Sequence, residues 1–287
     1  MMNGAIRNTI IKGLQVNKSS LTLTFLSLLL LSVLPAASQM GNSSHQLLYG
    51  AIVRGDTSEA ELALVFTGDE YADGGLYIDS VLNEQGIKAS FFLTGKFYRN
   101  AEFEELIHDL VKGGHYLGAH SDKHLLYCSW ENRDSLLVTQ KQFSNDLRDN
   151  YRTMNEYGIE VEDAPYFLPP YEWYNDSIAC WTRALGFQLI NHSHGTLSHA
   201  DYTTPDMKNY RSSKYIYKSI LDYEKGEAHG LNGFILLIHI GTAPERTDKF
   251  YHHLEDLIEE LISRSYHFKR IDELQVKGQQ FEMIKQL

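Results

Sequence analysis

Two histidines in the segment 114–124 have the spacing of metal ligands. The segment reads Gly-His-Tyr-Leu-Gly-Ala-His-Ser-Asp-Lys-His, and its last two histidines, His120 and His124, follow a short apolar run. Imidazoles four residues apart share one face of a helical turn and can reach one metal ion. Such a pair is weak evidence by itself, but a position just past a strand strengthens it. The segment therefore predicts two metal ligands on a helical turn.

A carboxylate follows another apolar run. Residues 62–66, Leu-Ala-Leu-Val-Phe, lead through Thr67 and Gly68 to Asp69 and Glu70. Asp69 thus stands just past the end of a predicted strand, and a carboxylate is the natural third ligand beside two imidazoles. The alternative is that Asp69 or Glu70 only caps the next turn.

Two further strand ends carry groups that can do chemistry. The apolar run over 233–238 ends in His239, whose imidazole can act as an acid or a base near neutral pH. The alternative for His239 is a core histidine bonded to a carbonyl. Pro169 and Pro170 end another run and fix an extended turn, which can aim a backbone N–H at a substrate oxyanion.

Short apolar runs alternate with amphipathic segments along the chain, which predicts βαβ units. Predicted strands cover 62–66, 89–93, 115–117, 166–168, 187–190, 234–239 and 267–271, and predicted helices cover 76–85, 102–112, 135–157, 176–185, 215–225 and 248–264. About seven strands without a Pro/Gly/Ser-rich linker favour one barrel-like α/β domain. In such a barrel, the polar residues that follow the strands meet at one mouth.

Residues 1–38 are typical of a signal peptide. Three cations and no acid precede a mainly apolar run over 21–34, and small residues lead to a cleavage point after Ser38. The run is shorter than the ~20 residues of a spanning helix, although an uncleaved anchor is the alternative. We therefore expect a secreted or periplasmic protein with no stable membrane insertion after cleavage, and a single catalytic domain over 39–287.

The composition excludes several classes of partner. The 287 residues are 43% hydrophobic, and 26 Lys and Arg stand against 37 Asp and Glu, for a net charge of -11. This is the balance of a folded globular chain. The excess of acid and the lack of a cationic block argue against nucleic acid as a partner.

Cys128 and Cys180 either pair in an oxidising compartment or stay separate as buried thiols.

Taken together, residues 60–272 resemble the polysaccharide deacetylase family, carbohydrate esterase family four. Residues 114–124 match every defined position of the family's second motif, Gly-His-x-Ile/Leu-Gly-x followed by His-Ser/Thr-x-x-His. Residues 237–239, Leu-Ile-His, match the fifth motif, and residues 86–95 look like the family's second strand.

This resemblance implies a distorted (β/α)7 barrel with a divalent metal, most often Zn²⁺. It implies a hydrolase that removes acetyl groups from a carbohydrate, by N- or O-deacetylation, with metal-activated water. Asp69, His120 and His124 are then the metal ligands, and His239 is the acid. Tyr171, Pro170 and Trp173 are expected to contact the substrate. Other aromatic residues that could stack on sugar rings are Trp130, Tyr166, Tyr174 and Tyr202.

The first motif departs from the family pattern of Thr-Phe-Asp-Asp-Gly. Thr67 stands where the base is expected, and Asp69 lies one place beyond the ligand position and needs a small bulge to reach the metal. An alternative register places the Asp-Gly pair at Asp73. The base would then come from Glu70, Asp73 or Glu172, or the activated water needs none.

The third and fourth motifs are also altered. Leu168 replaces the Arg of the third motif, and the fourth survives at most as Asp201 and Tyr202. Arg211 or Arg246 could substitute for the missing Arg from a loop. Residues 191–194, Asn-His-Ser-His, add imidazoles near the same mouth, although solvated loop histidines are the simpler interpretation.

Two alternative functions stay open. One is a catalytically silent carbohydrate-binding protein that kept the metal ligands and lost the base. The other is a hydrolase of the same superfamily that acts on a different amide, such as a cyclic imide.

Overall fold

The strands of the computed structural model, which describes residues 45–275, form one mixed sheet. The strands are β1 (Gln46–Leu48), β2 (Ala51–Arg54), β3 (Glu61–Gly68), β4 (Ser90–Leu93), β5 (Tyr116–Ala119), β6 (Tyr166–Phe167), β7 (Gln188–Leu189), β8 (Phe234–His239) and β9 (His267–Lys269). Their order is β1-β2-β8-β3-β4-β5-β6-β7, with β9 beside the start of β3. The pairs β1–β2 and β2–β8 are antiparallel, and the other pairs are parallel. The expected signal peptide lies outside the described residues.

Helices follow most of the parallel strands. They are α1 (Gly75–Glu84), α2 (Gly95–Tyr98), α3 (Glu104–Lys112), α4 (Gln140–Asn155), α5 (Asp176–Ala184), α6 (Ser213–Gly226), α7 (Leu254–Ser263) and α8 (Ile271–Gln275). The longer helices bury one apolar face, as α3 does with Leu106, Ile107 and Leu110. Every helix within 45–275 falls short of the length and apolar character that crossing a membrane requires.

Helix α4 begins at Gln140 and not at residue 135 as predicted, because a capping box at Thr139 sets its first turn. The side chain of Thr139 accepts a hydrogen bond from the backbone N–H of Gln142 at 3.3 Å, and the Gln142 side chain accepts one from the backbone N–H of Thr139 at 2.8 Å. These bonds satisfy N–H groups that a helix start leaves unpaired. The residues before Thr139 are therefore free to form a loop.

The sheet curls back on itself after β7. The backbone N–H of Asn191 donates to the carbonyl of Ile52 in β2 at 2.9 Å, and that of Ser193 donates to Ile235 in β8 at 3.0 Å. The chain after β7 is thereby tied to the opposite end of the strand order. The result is a partly closed barrel, as the alternation of strands and helices predicts.

Strands β3 and β8 form the centre of the core. Residues 62–66 of β3 and 234–238 of β8 are fully buried. The parallel register pairs Thr67 with His239, and it pairs Gly68 with Leu93 at the end of β4. Because parallel strands end on the same side of a sheet, the residues that follow β3, β4, β5, β6 and β8 share one mouth.

The two cysteines do not pair. Cys128 is buried and Cys180 is exposed, and both are free thiols. Burial raises the pKa of the Cys128 thiol to about 11, so it is protonated and unreactive at neutral pH.

Asn150 of α4 is expected to stabilise the fold through hydrogen bonds to the backbone at the mouth of the barrel. It is fully buried, and its amide accepts from the backbone N–H of His120 at 2.9 Å and donates to the carbonyl of Leu93 at 3.3 Å. Asn150→Ala leaves both backbone groups unpaired and should lower the free energy of unfolding by about 1–3 kcal/mol in urea denaturation. The matched control is Asn155→Ala, an exposed residue of the same helix, which should stay within about 0.5 kcal/mol of the parent. Equal losses in the two variants would contradict this account.

Candidate active site

The segment after β5 is a loop, so the predicted helical turn is wrong. Ser121 and His124 have φ angles of 75° and 56°, in the left-handed region. Asp146 of α4 holds the loop, because its carboxylate accepts from the hydroxyl of Ser121 at 2.5 Å and from the backbone N–H groups of Asp122 and Lys123 at 3.1 Å. The loop still brings the two imidazoles together.

His120 and His124 have ring centres 5.2 Å apart. The Nδ1 atom of His120 lies 2.8 Å from the carbonyl of Leu168. Since a carbonyl only accepts, Nδ1 carries the hydrogen and Nε2 keeps its lone pair. Burial, with the neighbouring imidazole, holds the pKa of His120 well below its usual range, and burial lowers that of His124 to about 4. Both rings are therefore neutral at pH 7, which is the form that binds metals.

Asp69 stands directly after β3, beside His124. Its Oδ1 atom accepts from the hydroxyl of Thr94 at 2.8 Å, and its Oδ2 atom lies 3.7 Å from Nδ1 of His124 and 3.4 Å from Nζ of Lys96. Two ligands of one tetrahedral zinc ion, each ~2.1 Å from it, lie roughly 3.4 Å apart. The separation of Asp69 and His124 is close to that value. The preceding Gly68 is required by packing, because a Cβ atom there would lie 2.7 Å from the side chain of Ile240.

The three predicted ligands are suitable donors for a divalent metal, but their donor atoms do not converge on one position. Asp69, His120 and His124 line the same cavity. Within residues 45–275, no group of three or more His, Cys, Asp or Glu side chains is arranged so that it could hold a metal ion as it stands. One carboxylate and two neutral imidazoles are a donor set that suits zinc and related ions.

His239 ends β8 and is held by a carboxylate. Its Nδ1 atom lies 2.6 Å from Oδ1 of Asp201, and its backbone N–H donates to Oδ2 of the same residue at 2.9 Å. Asp201 is 1% exposed and comes from a 3-10 turn over 198–202. Burial alone would lower the pKa of His239, but the charges of Asp201 and Glu172 outweigh it and raise the pKa. His239 is thus prepared to donate a proton.

Glu172 lies in the same cavity, after a turn with unusual backbone angles. Tyr171 and Glu172 have φ angles of 59° and 52°, and the carbonyl of Glu172 is held by the Asn191 amide at 2.8 Å. Burial raises the pKa of the Glu172 carboxyl to about 7, against the opposing effect of His239. A carboxyl with this pKa can both take and release a proton at neutral pH.

The other candidate bases have different surroundings. Glu70 is exposed at the rim of the cavity. Asp73 does not line it, and its carboxylate accepts from the backbone N–H of Thr242 at 2.8 Å and from the Tyr251 hydroxyl at 3.0 Å. Thr67 does line it, is 2% exposed, and has a hydroxyl without a hydrogen-bond partner among the described residues.

Neither arginine considered for the third motif lines the cavity. Arg246 is fully buried, and its guanidinium donates to the carbonyls of Thr203 and Arg211 at 2.6 and 3.1 Å. These bonds fix the loop that follows Asp201. Its positive charge also lowers the pKa of His239 and so opposes the effect of Asp201.

The histidines after β7 form a cluster of their own outside the cavity. His192 is 5% exposed and its ring centre lies 4.4 Å from that of His199 and 5.0 Å from that of the exposed His194. Burial holds the pKa of His192 well below its usual range. None of the three lines the cavity.

The cavity itself has a volume of about 430 Å³ and an aromatic wall. Tyr171, Trp130 and Tyr202 line it, and all three are among the exposed large side chains. Two residues predicted to contact substrate lie behind this wall: Pro170 is buried, and Trp173 packs against the ring of Trp130. Trp130 therefore offers the ring face that the sequence pattern assigns to Trp173.

Residues 55–190 match the family described as polysaccharide deacetylase. A curated relative, the peptidoglycan-N-acetylmuramic acid deacetylase PdaA of Bacillus subtilis, is 27% identical over 230 residues, which is 79% of this chain and 75% of the relative. The predicted resemblance to the polysaccharide deacetylase family is confirmed, and the matched residues include the second motif at 114–124. The expected enzyme class, a polysaccharide deacetylase-like hydrolase, is confirmed at the level of this family.

Solved structures confirm the distorted (β/α)7 barrel. Bacillus subtilis PdaA, a family 4 carbohydrate esterase, has a TM-score of 0.62 and 23% identity, covering 80% of this chain and 87% of its own. A family 4 pseudoenzyme from Bacillus anthracis has a TM-score of 0.58 and 18% identity, covering 80% and 70%. An acetyl xylan esterase from Clostridium thermocellum, in complex with a cobalt ion, has a TM-score of 0.58 and 19% identity, covering 76% and 91%.

The contact between Asp201 and His239 should set the protonation of the imidazole. Asp201→Asn removes the nearest negative charge and should lower the pKa of His239, because burial then dominates. The pKa is measured by NMR titration of histidine-labelled protein. The matched control is Asp206→Asn, an exposed carboxylate five residues away, which should leave the titration unchanged. An unaltered pKa in Asp201→Asn would contradict the assignment.

Proposed function

We propose that the protein is a metal-dependent hydrolase that removes acetyl groups from a carbohydrate, as an N-deacetylase or an O-deacetylase. The observation that carries the proposal is that a proton donor, His239 paired with Asp201, and a proton acceptor, Glu172, line the same cavity as Asp69, His120 and His124. Membership of the deacetylase family supports the choice of reaction.

The metal ligands are Asp69, His120 and His124, and the metal is Zn²⁺ or a related divalent ion. When bound, such an ion supplies a Lewis acid that lowers the pKa of water and polarises a carbonyl. The contact of His120 with the Leu168 carbonyl orients the ring, and the hydroxyl of Thr94 orients the carboxylate of Asp69.

Proton transfer is assigned to two residues. Glu172 takes the proton of the attacking water, because it faces the cavity with a pKa of about 7, whereas Glu70 lies exposed at the rim. His239 gives its proton to the departing nitrogen or oxygen as the acyl bond breaks, and acetate is released. Tyr171 and Pro170 form the turn beside the acyl group, where the backbone N–H of Tyr171 would stabilise the oxyanion.

Metal binding should depend on His120. His120→Ala removes one of three ligands and should reduce zinc binding by at least about a hundredfold in calorimetry, and turnover should fall to background. Added zinc should raise the melting temperature of the parent but not of this variant, because a ligand stabilises only the state that binds it. His229→Ala, at an exposed loop position, is the control and should bind zinc like the parent. Equal zinc affinity in His120→Ala would exclude this ligand set.

Glu172→Gln should distinguish Glu172 from Glu70, the two candidate bases that line the cavity. The amide cannot accept the proton, so kcat should fall by about 10²–10⁴-fold, and the rise of kcat/KM with pH near 7 should disappear. Glu70→Gln is the matched control and should keep most activity, and Thr67→Ala should change kcat little. Loss of activity in Glu70→Gln, with Glu172→Gln unaffected, would transfer the role of base to Glu70.

A second candidate function is a silent carbohydrate-binding protein on the same fold. Thr67 at the position of the family base favours it, and a pseudoenzyme is among the structural relatives. Hydrolysis of an acetylated chromogenic ester and of chitin oligomers, with and without chelator, distinguishes the two. Sugar binding without turnover under any divalent metal would support the silent protein. Turnover of a cyclic imide alone would instead support the amide hydrolase.

We also propose that the protein is secreted or periplasmic, with a mature catalytic domain over 39–287. The cationic start and apolar run of residues 1–38 support this. The amino-terminal sequence of the exported protein would identify the cleavage point.

A further inference from the structure

Asn191 connects the turn that carries Glu172, the proposed base, to the wall of the barrel. Asn191 follows the end of β7 by two residues and is 2% exposed. Its backbone N–H donates to the carbonyl of Ile52 in β2 at 2.9 Å, and its side-chain amide donates to the carbonyl of Glu172 at 2.8 Å. The turn is therefore attached to a residue whose own backbone is bonded to the sheet.

The partners of the Asn191 amide allow it only one orientation. Its Oδ1 atom accepts from the backbone N–H of His192 at 2.8 Å and lies 3.2 Å from Nδ1 of the same residue. Its Nδ2 atom faces the carbonyl of Glu172, which can only accept. A rotated amide would place oxygen against oxygen and N–H against N–H, so both contacts would be lost.

His192, which orients this amide, is buried and neutral. It is 5% exposed, and its ring stacks on that of His199 with ring centres 4.4 Å apart at 26°. Burial, together with the neighbouring imidazoles of His199, His194 and His239, holds the pKa of His192 well below its usual range. Since Oδ1 of Asn191 only accepts, Nδ1 of His192 carries the hydrogen. His192 therefore donates to Asn191 from its backbone and from its ring.

The turn over 170–172 has to be held against the preference of its own backbone. Tyr171 and Glu172 have φ angles of 59° and 52°, which cost free energy in residues other than glycine. The backbone N–H of Glu172 donates to the carbonyl of Pro169 at 3.1 Å. That bond closes the turn on itself, whereas the bond from Asn191 fixes the turn to the neighbouring strand end.

The direction of the Glu172 carboxyl group depends on this backbone. Among the described residues, no hydrogen bond or ion pair holds the carboxyl group itself. The charges that act on its pKa are those of His239, which lowers it, and Asp201, which raises it. Leu168 stands where the third family motif has an Arg. The orientation of Glu172 is therefore set by the turn and by whatever holds the turn.

We propose that Asn191 is the positioning residue of the base: its amide, oriented by His192, holds the turn that directs the Glu172 carboxyl group into the cavity. Asn191 does not line the cavity and acts on the reaction through Glu172. This inference rests on the proposed function, in which Glu172 takes the proton of the attacking water.

The first test measures the pKa of Glu172 by NMR of protein labelled at the glutamate carboxyl carbon. The signal is assigned by its loss in Glu172→Gln. In Asn191→Ala the carbonyl of Glu172 is released, so the turn relaxes and the carboxyl group reaches water. Its pKa should then fall from about 7 toward its ordinary value of 4.5. His192→Phe keeps a ring in the stack but removes Nδ1, and it should lower the pKa of Glu172 by a smaller amount.

Asn232→Ala is the matched control for this measurement. The Asn232 amide also donates to a backbone carbonyl, that of Thr57 at 3.0 Å, but it precedes β8 and does not line the cavity. Asn232→Ala should lower the melting temperature as Asn191→Ala does and leave the pKa of Glu172 unchanged. An unchanged pKa in Asn191→Ala, or an equal fall in Asn232→Ala, overturns the proposal. An unchanged pKa in His192→Phe overturns the role of His192.

The second test separates kcat from KM. Both are measured with p-nitrophenyl acetate and an N-acetylglucosamine tetramer between about pH 5 and about pH 9. In Asn191→Ala, kcat should fall about ten- to hundredfold while KM stays within about twofold, because the base is misplaced and the substrate contacts remain. The rise of kcat/KM near pH 7 should also move to lower pH. A parent-like kcat in Asn191→Ala, or the same loss in Asn232→Ala, overturns the proposal.

The two tests distinguish this proposal from the proposed function. The proposed function fails if the parent shows no turnover, and the assignment of the base fails if Glu172→Gln keeps its activity. In either case the pKa of Glu172 in Asn191→Ala and Asn232→Ala still decides whether Asn191 holds Glu172 in place.

Discussion

The parallel pairing of β3 with β8 determines where the chemistry of this protein can take place. The two strands are buried along their length, and their register places Thr67 beside His239 at the same level of the barrel. A shift in the register of either strand would move its buried apolar side chains out of the core. His239, the proposed acid, and Asp69, a proposed metal ligand, therefore have a fixed separation, and the other groups of the cavity are added around this pair.

The site is assembled from loops whose backbone angles are unfavourable but well supported. Ser121, His124, Tyr171 and Glu172 all have positive φ angles. Non-glycine residues adopt them at a cost, and such costs are tolerated where surrounding contacts hold them. Here those contacts include the Asp146 carboxylate for the first loop and the Asn191 amide for the second. Orientation of the reacting groups is thus obtained from hydrogen bonds that lie outside the cavity.

Much of the fold follows from local pattern, because β3, β4, β5 and β8 are buried apolar runs of strand length. The strands β1 and β2, which contain the short apolar runs Leu47–Leu48 and Ala51–Val53, are absent from the predicted strands. The helical turn at 120–124 was wrong because Asp146, more than twenty residues away, holds the loop. Likewise, spacing could not show that Asp201 would meet His239, or that Trp130 and not Trp173 would face the cavity. These are long-range contacts, which a local pattern does not contain.

The two side chains that hold the loop of His120 and His124, Asp146 and Asn150, lie one turn apart on α4. Thr67, at the position of the family's base, belongs instead to β3, and its hydroxyl has no hydrogen-bond partner among the described residues. The two functions therefore rest on separate supports. A substitution at the base position can change or remove chemistry while the ligand loop keeps its shape. An architecture divided in this way is evolvable, since a change of the proposed base leaves in place the contacts that hold the loop of His120 and His124.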